Sequence, residues 1–299
     1  MNEINSPLLI DSNKVKEVFV FKTSQIVENY KNINIDVSRF FDQPEVKLYK
    51  CLATGYRFYY PYSTIGDAEF YKDLSINREN YYSTRWEHNI TLKQLNPYDT
   101  VLEIGSGFGV FLSLLKLKGI DGKGLELNPH AVQKCTVEGL KVEGKLIQEV
   151  AKENTEKFSI VCNFQVLEHI TDVHSFLKAS IEVLKPNGKL IIGVPNNNPY
   201  LFINDTHHTL NLPPHHAGLW NKESLKSLET IFPLQLISME FEPLTYTFTY
   251  FLNVQMKKSN FIIKLILRVL NKIFPRLLKK VLCKFINGRN VLAVYKKVI

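Results

Sequence analysis

Val101-Leu-Glu-Ile-Gly-Ser-Gly-Phe-Gly109 is the stretch on which the fold of this 299-residue chain turns. Its apolar residues 101–104 read as a short buried strand, with Glu103 just before a tight turn opened by Gly105, Gly107 and Gly109. Residues 110–115, Val-Phe-Leu-Ser-Leu-Leu, read as the start of a helix. Glycine in such a turn accepts positive φ and lets a ligand approach the backbone closely. The helix behind it presents free N–H groups towards that ligand. A dinucleotide turn, G-x-G-x-x-G, would place its third glycine where this chain has Val110. A plain strand–helix turn with glycines used only for packing shares the local pattern, so the neighbouring segments have to decide.

Downstream the alternation continues. Residues 122–127 read as a strand, 129–138 as a helix and 145–147 as a short strand. Residues 158–164 read as a strand with a continuous apolar centre, Ile160-Val-Cys162. Residues 173–184 read as a helix ended by Lys185-Pro-Asn-Gly188, and 189–194 as another strand. Upstream, 82–95 reads as a helix with Trp86, Ile90 and Leu95 on one side. Strands alternating with helices predict an α/β fold, a Rossmann-like doubly wound sheet that is parallel except for an antiparallel last strand. Its ligand site belongs at the carboxyl ends of the strands, near the switch in strand order. Residues 234–241 and 290–296 are expected to be the last two strands, with a helical insertion at about 242–289 between them. The sheet domain is expected to occupy 81–299. Residues 1–80, rich in aromatics and with strand-like runs at 17–21 and 46–49, are set apart as an N-terminal region.

Composition narrows the class. At 45% hydrophobic and 22% charged, the chain is ordinary globular protein. It has no uncharged apolar run of 18 residues, so no spanning helix is expected, and its first residues lack the pattern of a signal peptide. Cys51, Cys135, Cys162 and Cys283 are scattered and form no C-x-x-C. That favours a reducing, cytoplasmic setting. The net charge of +8 is uneven: all 29 acidic residues precede residue 243, whereas 12 of the 37 basic ones follow it. Such asymmetry predicts a local basic surface.

Glu103 with G-x-G-x-G resembles motif I of the class I S-adenosylmethionine (SAM) methyltransferases. Glu126 ends the second strand, 17 positions after Gly109, where an acid can accept both hydroxyls of a ribose. Its segment Gly124-Leu-Glu-Leu-Asn-Pro129 is similar to the corresponding methyltransferase segment. Phe158-Ser-Ile-Val-Cys-Asn-Phe-Gln-Val-Leu-Glu-His169 resembles the fourth-strand motif, ending in V-L-E-H. Leu184-Lys-Pro-Asn-Gly-Lys-Leu-Ile-Ile-Gly-Val-Pro-Asn196 is similar to the run that follows it. The resemblance covers roughly residues 98–200. It implies SAM as cofactor, held by Glu103, Gly105, Ser106, Gly107, Gly109, Glu126 and Leu127 with Asn163 and Phe164 beside them. Gln148 or Glu149 is placed near the adenine edge.

SAM carries its methyl group on a positive sulfur, so the protein's work is alignment and exclusion of water. A hydroxyl acceptor also needs a base, for which histidine is suited near neutral pH. His169 ends V-L-E-H. His207 and His208 follow, and His215 and His216 lie in Asn211-Leu-Pro-Pro-His-His-Ala-Gly-Leu-Trp220. The prolines stiffen this loop, and Trp220 offers an apolar face for stacking on a sugar. The loop resembles a substrate-side loop in methyltransferases of bacterial surface-polysaccharide and related glycan clusters. That resemblance implies a small-molecule or glycan acceptor, a sugar hydroxyl of a nucleotide-sugar or glycan precursor, with His216 as base and His215 and His169 next. A quinone-like or lipid hydroxyl is the alternative acceptor. A SAM-binding, membrane-associated scaffold without catalysis is the alternative of another class. Glu168 and His169 could equally cap the loop below the cofactor, and His215 and His216 form a structural pair. Histidines with Glu168 also suit a divalent ion, but no ligand spacing requires one and no metal is assigned.

Tyr49-Lys-Cys-Leu-Ala-Thr-Gly-Tyr-Arg-Phe-Tyr-Tyr-Pro61 resembles the zinc-ribbon-like start of the same glycan group, with Thr54 at the second cysteine position. A structural zinc needs four ligands, so packing is expected in its place. Phe58, Tyr59, Tyr60 and Tyr62 then serve as core or as a lid over the substrate. Tyr81-Tyr-Ser-Thr-Arg-Trp-Glu87 resembles the group's lead-in helix and is expected to close over the cofactor. In the insertion, Lys264, Arg268, Lys272 and Arg276 recur every four residues and share one side of a helix otherwise filled by Ile, Leu, Val and Phe. A narrow basic stripe on a wide apolar surface fits a helix lying on an anionic membrane through about 257–285, on the inner face for a cytoplasmic enzyme. Packing on its own domain or on the twin subunit of a homodimer is the other reading. Nucleic acid is not assigned as a partner, since no binding motif accompanies the charge.

Overall fold

A computed structural model describes residues 4–10, 14–77, 83–197 and 206–298. The N-terminal strand-like runs become β1 (Val15–Lys22) and β2 (Glu45–Cys51), joined by α1 (Thr23–Lys31) and followed by β3 (Arg57–Tyr60). The helix α2 (Ala68–Asn77) leads towards α3 (Trp86–Leu92), which lies within the expected lead-in helix; Tyr81 and Tyr82 lie outside the described residues. The main unit then alternates: β4 (Thr100–Ile104), α4 (Val110–Leu117), β5 (Asp121–Leu125), α5 (Pro129–Val137), β6 (Val142–Glu143), α6 (Ile147–Glu153), β7 (Phe158–Phe164), α7 (Val173–Glu182) and β8 (Leu184–Pro195). After β9 (Gly218–Leu219) come β10 (Leu234–Pro243) and β11 (Asn287–Lys297).

The seven-stranded sheet has the order β10-β11-β8-β7-β4-β5-β6. Pairs among β4 to β8 are parallel, and β11 runs antiparallel to both β8 and β10. The chain leaves β4 first towards β5 and later returns to its other side as β7, so the switch in strand order lies between β4 and β7. Strands covered on both faces read as unbroken apolar runs, and successive side chains along them go to opposite faces. Val291, Ala293 and Tyr295 of β11 join Leu190, Ile192 and Val194 of β8 on the face covered by α6 and α7, packed against Val150, Phe176 and Leu177. Leu292 and Val294 of β11 join Ile191 of β8 on the other face, against Phe111 and Leu112 of α4 and Trp86 of α3. Each fully buried side chain of this size contributes roughly 1.5–3 kcal/mol.

The expected strand at 145–147 is not formed. The edge strand β6 pairs only at Gly124↔Val142 and Leu125↔Glu143. The Leu146 N–H then donates to Glu149 Oε2 at 2.7 Å, a contact that turns the chain into α6.

The N-terminal sheet takes β9 as its fourth strand, in the order β1-β2-β3-β9. Its core of Phe21, Tyr30, Leu48 and Tyr59 includes Leu212 and Leu219. Leu8, Tyr56 and Phe58 pack with Trp220, Leu102 and Val161 in the core of the main sheet. In the segment expected to resemble a zinc ribbon, Cys51 is a free buried thiol, and the Thr54 hydroxyl accepts the Tyr56 N–H at 3.2 Å. A hydrogen-bonded turn occupies the place of the ligand.

The insertion between β10 and β11 forms three helices, Phe248–Lys258, Phe261–Ile273 and Pro275–Phe285. Leu244, Phe248, Phe251, Leu252 and Leu278 make a small core of their own. The second helix has no buried residue. Among the described residues no helix is long and apolar enough to cross a membrane.

Candidate active site

The carboxyl ends of β4, β5 and β7 open into a cleft of about 510 Å³ at the switch point. Its floor is the glycine turn. Gly105, Gly107 and Gly109 have φ of 74°, 53° and 72°. A Cβ on Gly105 would stand 2.4 Å from Val166 Cγ2, and one on Gly109 would stand 2.4 Å from Leu140 Cδ1. Both conformation and space therefore demand glycine there. The N–H groups of Gly105 and Ser106 donate to the Leu125 carbonyl at 2.8 and 3.0 Å, which ties the turn to β5.

Glu126 is fixed by the backbone around it. Its Oε2 accepts the Gly107 N–H and its Oε1 the Asn128 N–H, each at 2.8 Å. Two backbone donors fix the carboxylate plane and leave its remaining lone pairs for a diol. Glu103 and Ser106 also line the cleft; Glu103 Oε2 and Ser106 Oγ are buried with no hydrogen-bond partner among the described residues. Burial, and next the charge of Glu126, holds the Glu103 carboxyl well above the usual range. A cationic ligand group beside it would favour the carboxylate. The orphaned polar atoms, the poised Glu126 and the glycine floor fit SAM. Gly105, Ser106, Gly107, Glu126, Leu127 and Phe164 all line the cleft.

Three expected cofactor contacts are placed differently. Gly109 shapes the turn from behind, its N–H donating to the Ser106 carbonyl at 2.9 Å, and does not line the cleft. Asn163 is fully buried within β7, because strand alternation turns it away from the cleft while its neighbour Phe164 faces in. Gln148 lines the cleft, whereas Glu149 is spent on capping α6.

The histidines divide between two spaces. His169 lines the cleft and also a smaller adjoining pocket of about 60 Å³. His215 and His216 line only the smaller pocket, so His216, the first choice as base, does not face the cofactor cleft. Burial brings His169 down to a pKa of about 4 and holds His216 well below the ordinary histidine value. Burial also pushes the Glu168 carboxyl up to about 8. Trp220 is wholly buried, 4.4 Å from the Tyr56 ring, with Nε1 donating to the Leu167 carbonyl at 3.4 Å. It is a core residue and presents no face to a sugar. Phe58 and Tyr59 are core as well, and none of Phe58, Tyr59, Tyr60 and Tyr62 lines the cleft.

Sequence reasoning missed one wall. Gly66, Asp67 and Tyr71, before and within α2, face the cleft together with Arg85 and His88. Glu87 is fully buried and accepts Gln165 Nε2 at 2.8 Å. Burial raises its carboxyl pKa. The lead-in segment contained Arg85 and Glu87, but a long-range wall built from the N-terminal region leaves no local pattern to read.

This fold and cleft define a SAM-dependent methyltransferase. The model of the methyltransferase-domain family matches residues 78–233, half of the chain, and the chain belongs to that family. It is 28% identical over 166 residues to a ubiquinone biosynthesis O-methyltransferase of Pseudomonas syringae pv. tomato, covering 48% of this chain and 69% of that protein. It is 27% identical over 154 residues to one of the same name from Marinobacter nauticus, covering 45% and 65%. A SAM-dependent methyltransferase structure from Archaeoglobus fulgidus matches with a TM-score of 0.51 at 20% identity, over 70% of this chain and 90% of that one. A protein from Pyrococcus horikoshii matches with a TM-score of 0.52 at 14% identity, over 78% and 100%. The two relatives are named for ubiquinone rather than for a glycan.

Proposed function

We propose that this methyltransferase carries the SAM methyl group to a hydroxyl of an amphiphilic, quinone-like acceptor and works against a membrane surface. The observation that carries the hydroxyl reading is the place of His169, in the turn after β7 where the cofactor cleft meets the histidine pocket. Bound SAM supplies an activated methyl group. Glu126 and the glycine turn would hold its ribose, and Glu103 and Ser106 its polar groups deeper in the cleft. The His169, His215 and His216 cluster activates the acceptor hydroxyl, with His169 as the member bordering the cleft. Its Nδ1 hydrogen-bonds the His215 carbonyl, so Nδ1 carries the proton and Nε2 the lone pair.

The names of the relatives support a quinone-like acceptor over a sugar, as does the burial of Trp220, the residue that favoured a sugar. The insertion supports a membrane setting. Ile262, Ile266 and Ile273 are 67%, 50% and 59% exposed, and residues 248–285 carry nine basic and no acidic residues.

The test starts with calorimetric titration of SAM and, separately, NAD. SAM is expected to bind and NAD not. Glu126→Ala should weaken SAM roughly 10- to 100-fold, the worth of hydrogen bonds to a charged group. Labelled SAM is then offered with a prenylated hydroxyphenol or with nucleotide-sugars. Methylation of the phenol supports the proposal; methylation of the sugars overturns the acceptor class. SAM binding without transfer to any hydroxyl would put the scaffold reading in its place.

A further inference from the structure

His169 comes from the turn after β7, and His215 and His216 from the loop before β9, 46 residues later. The fold gathers them. One ring nitrogen of each lies within 4.8 Å of the other two. The ring centroids are 4.6 Å apart for His169 and His215, 5.1 Å for His169 and His216, and 4.6 Å for His215 and His216. In all three rings Nδ1 faces an oxygen: the His215 carbonyl for His169, the Leu210 carbonyl at 2.7 Å for His215, and Asn211 Oδ1 at 3.1 Å for His216. An oxygen acceptor at Nδ1 places the proton there and the lone pair on Nε2. An outer oxygen that fixes the tautomer and orientation of the ring is the usual support of a metal-ligating histidine. Glu168 Oε1 lies 3.8 Å from His169 Nε2 and adds an oxygen ligand type to the group.

We propose that His169, His215 and His216 bind a divalent transition-metal ion of the zinc class at the acceptor end of the cleft. Imidazole suits such ions. Nitrogens about 2.0–2.1 Å from a tetrahedral ion stand roughly 3.4 Å from one another, so each would move inward by less than about 1 Å. Three protein ligands leave a fourth position open, as in catalytic zinc sites. The 60 Å³ pocket borders the cofactor cleft through His169, so an acceptor oxygen can reach that position. The ion's part in catalysis rests on the hydroxyl-transfer reading; its binding does not. As a Lewis acid it makes the acceptor hydroxyl more acidic. The O–H bond breaks and its proton passes to solvent. The oxygen pair forms the new O–CH₃ bond, and the C–S pair returns to the sulfur of SAM.

The experiment titrates Co²⁺, a coloured probe for zinc-class sites, into the full chain after treatment with a chelator. One equivalent is expected to produce visible absorption of tetrahedral strength, removed by added Zn²⁺. His215→Ala and His216→Ala should each lower Co²⁺ affinity at least 100-fold. Asn211→Ala, which keeps all three ligands, should lower it about 10- to 100-fold, the effect of losing an outer-shell partner. SAM affinity is measured on the same samples and should stay within threefold, which shows that the variants are folded. Wild-type protein that binds SAM but takes up no stoichiometric Co²⁺ overturns the metal site and leaves methyl transfer standing. Equal Co²⁺ affinity in wild type and in the histidine variants overturns it as well. Failure to bind SAM would instead strike the methyltransferase reading.

Discussion

His88 sits between the rings of Phe111 and Phe164, whose centroids are 5.3 and 5.0 Å away. Burial, and next the charge of Arg85, brings its pKa from the ordinary 6.5 to about 3. The unfolded chain therefore takes up a proton at this residue as pH falls through 6.5, while the folded chain does not. Stability that is fully present above pH 6.5 is lost on the way down towards pH 3. At pH 5 the loss through this residue is about 2 kcal/mol. His88→Phe cannot take up that proton. Its stability deficit against wild type, measured by urea unfolding, should shrink by about 2 kcal/mol between pH 7 and pH 5. A deficit that stays constant over that interval would show that His88 is protonated freely in the fold. Nothing in the sequence around Trp86-Glu-His-Asn89 signalled this burial, because Phe111 and Phe164 reach His88 only across the folded molecule. Glu126, by contrast, was legible: its place follows from the strand that it ends, and the structure adds only the two backbone amides that hold it.

None of the residues of the insertion helix Phe261–Ile273 is buried, although Leu267 packs against the insertion's small core. Replacing Ile262, Ile266 and Ile273 by Ser should change folding stability by less than about 0.5 kcal/mol each, the usual range for exposed positions. The same triple variant is expected to lose co-sedimentation with vesicles containing phosphatidylglycerol, and 0.5 M salt should weaken wild-type binding by screening the basic side chains. Wild-type protein that ignores the vesicles would sink the membrane setting. How well elements could be read depended on how they are buried. Residues 158–164 were read as a strand and form β7 with those bounds, because a strand covered on both faces spells itself as an apolar run. Residues 145–147 were misread, because an edge strand of two residues has too little pairing to leave a pattern, and a capping carboxylate claims the segment for a helix.

At the scale of the molecule, the two sheets are tied together. Tyr56 and Phe58 of the first sheet pack with Trp220, Leu102 and Val161, while Leu212 and Leu219, from beyond β8, complete the first sheet's own core. Removing either sheet would strip apolar surface from the other at about 25 cal/mol per Å². The two sheets should therefore unfold in one cooperative transition, with SAM at 100 times its Kd adding about 2.7 kcal/mol. Calorimetry checks this: separate transitions for the two sheets, or no shift with SAM, would contradict it.

The sequence by itself determined the parallel sheet, the glycine floor and the acid that ends the second strand beside it. Each of these is local: periodicity declares a strand, a turn at positive φ demands glycine, and an acid at a strand end lies beside the turn that follows from the same fold rule. Only the tertiary structure decided the acceptor side. Whether His216 faces the cofactor cleft or a side pocket, whether Trp220 stacks on a substrate or fills the core, and whether His169 meets two histidines 46 and 47 residues away all depend on loops crossing between two sheets. Contacts between residues so distant in sequence are set by the packing of whole elements, and no short pattern of residues encodes them.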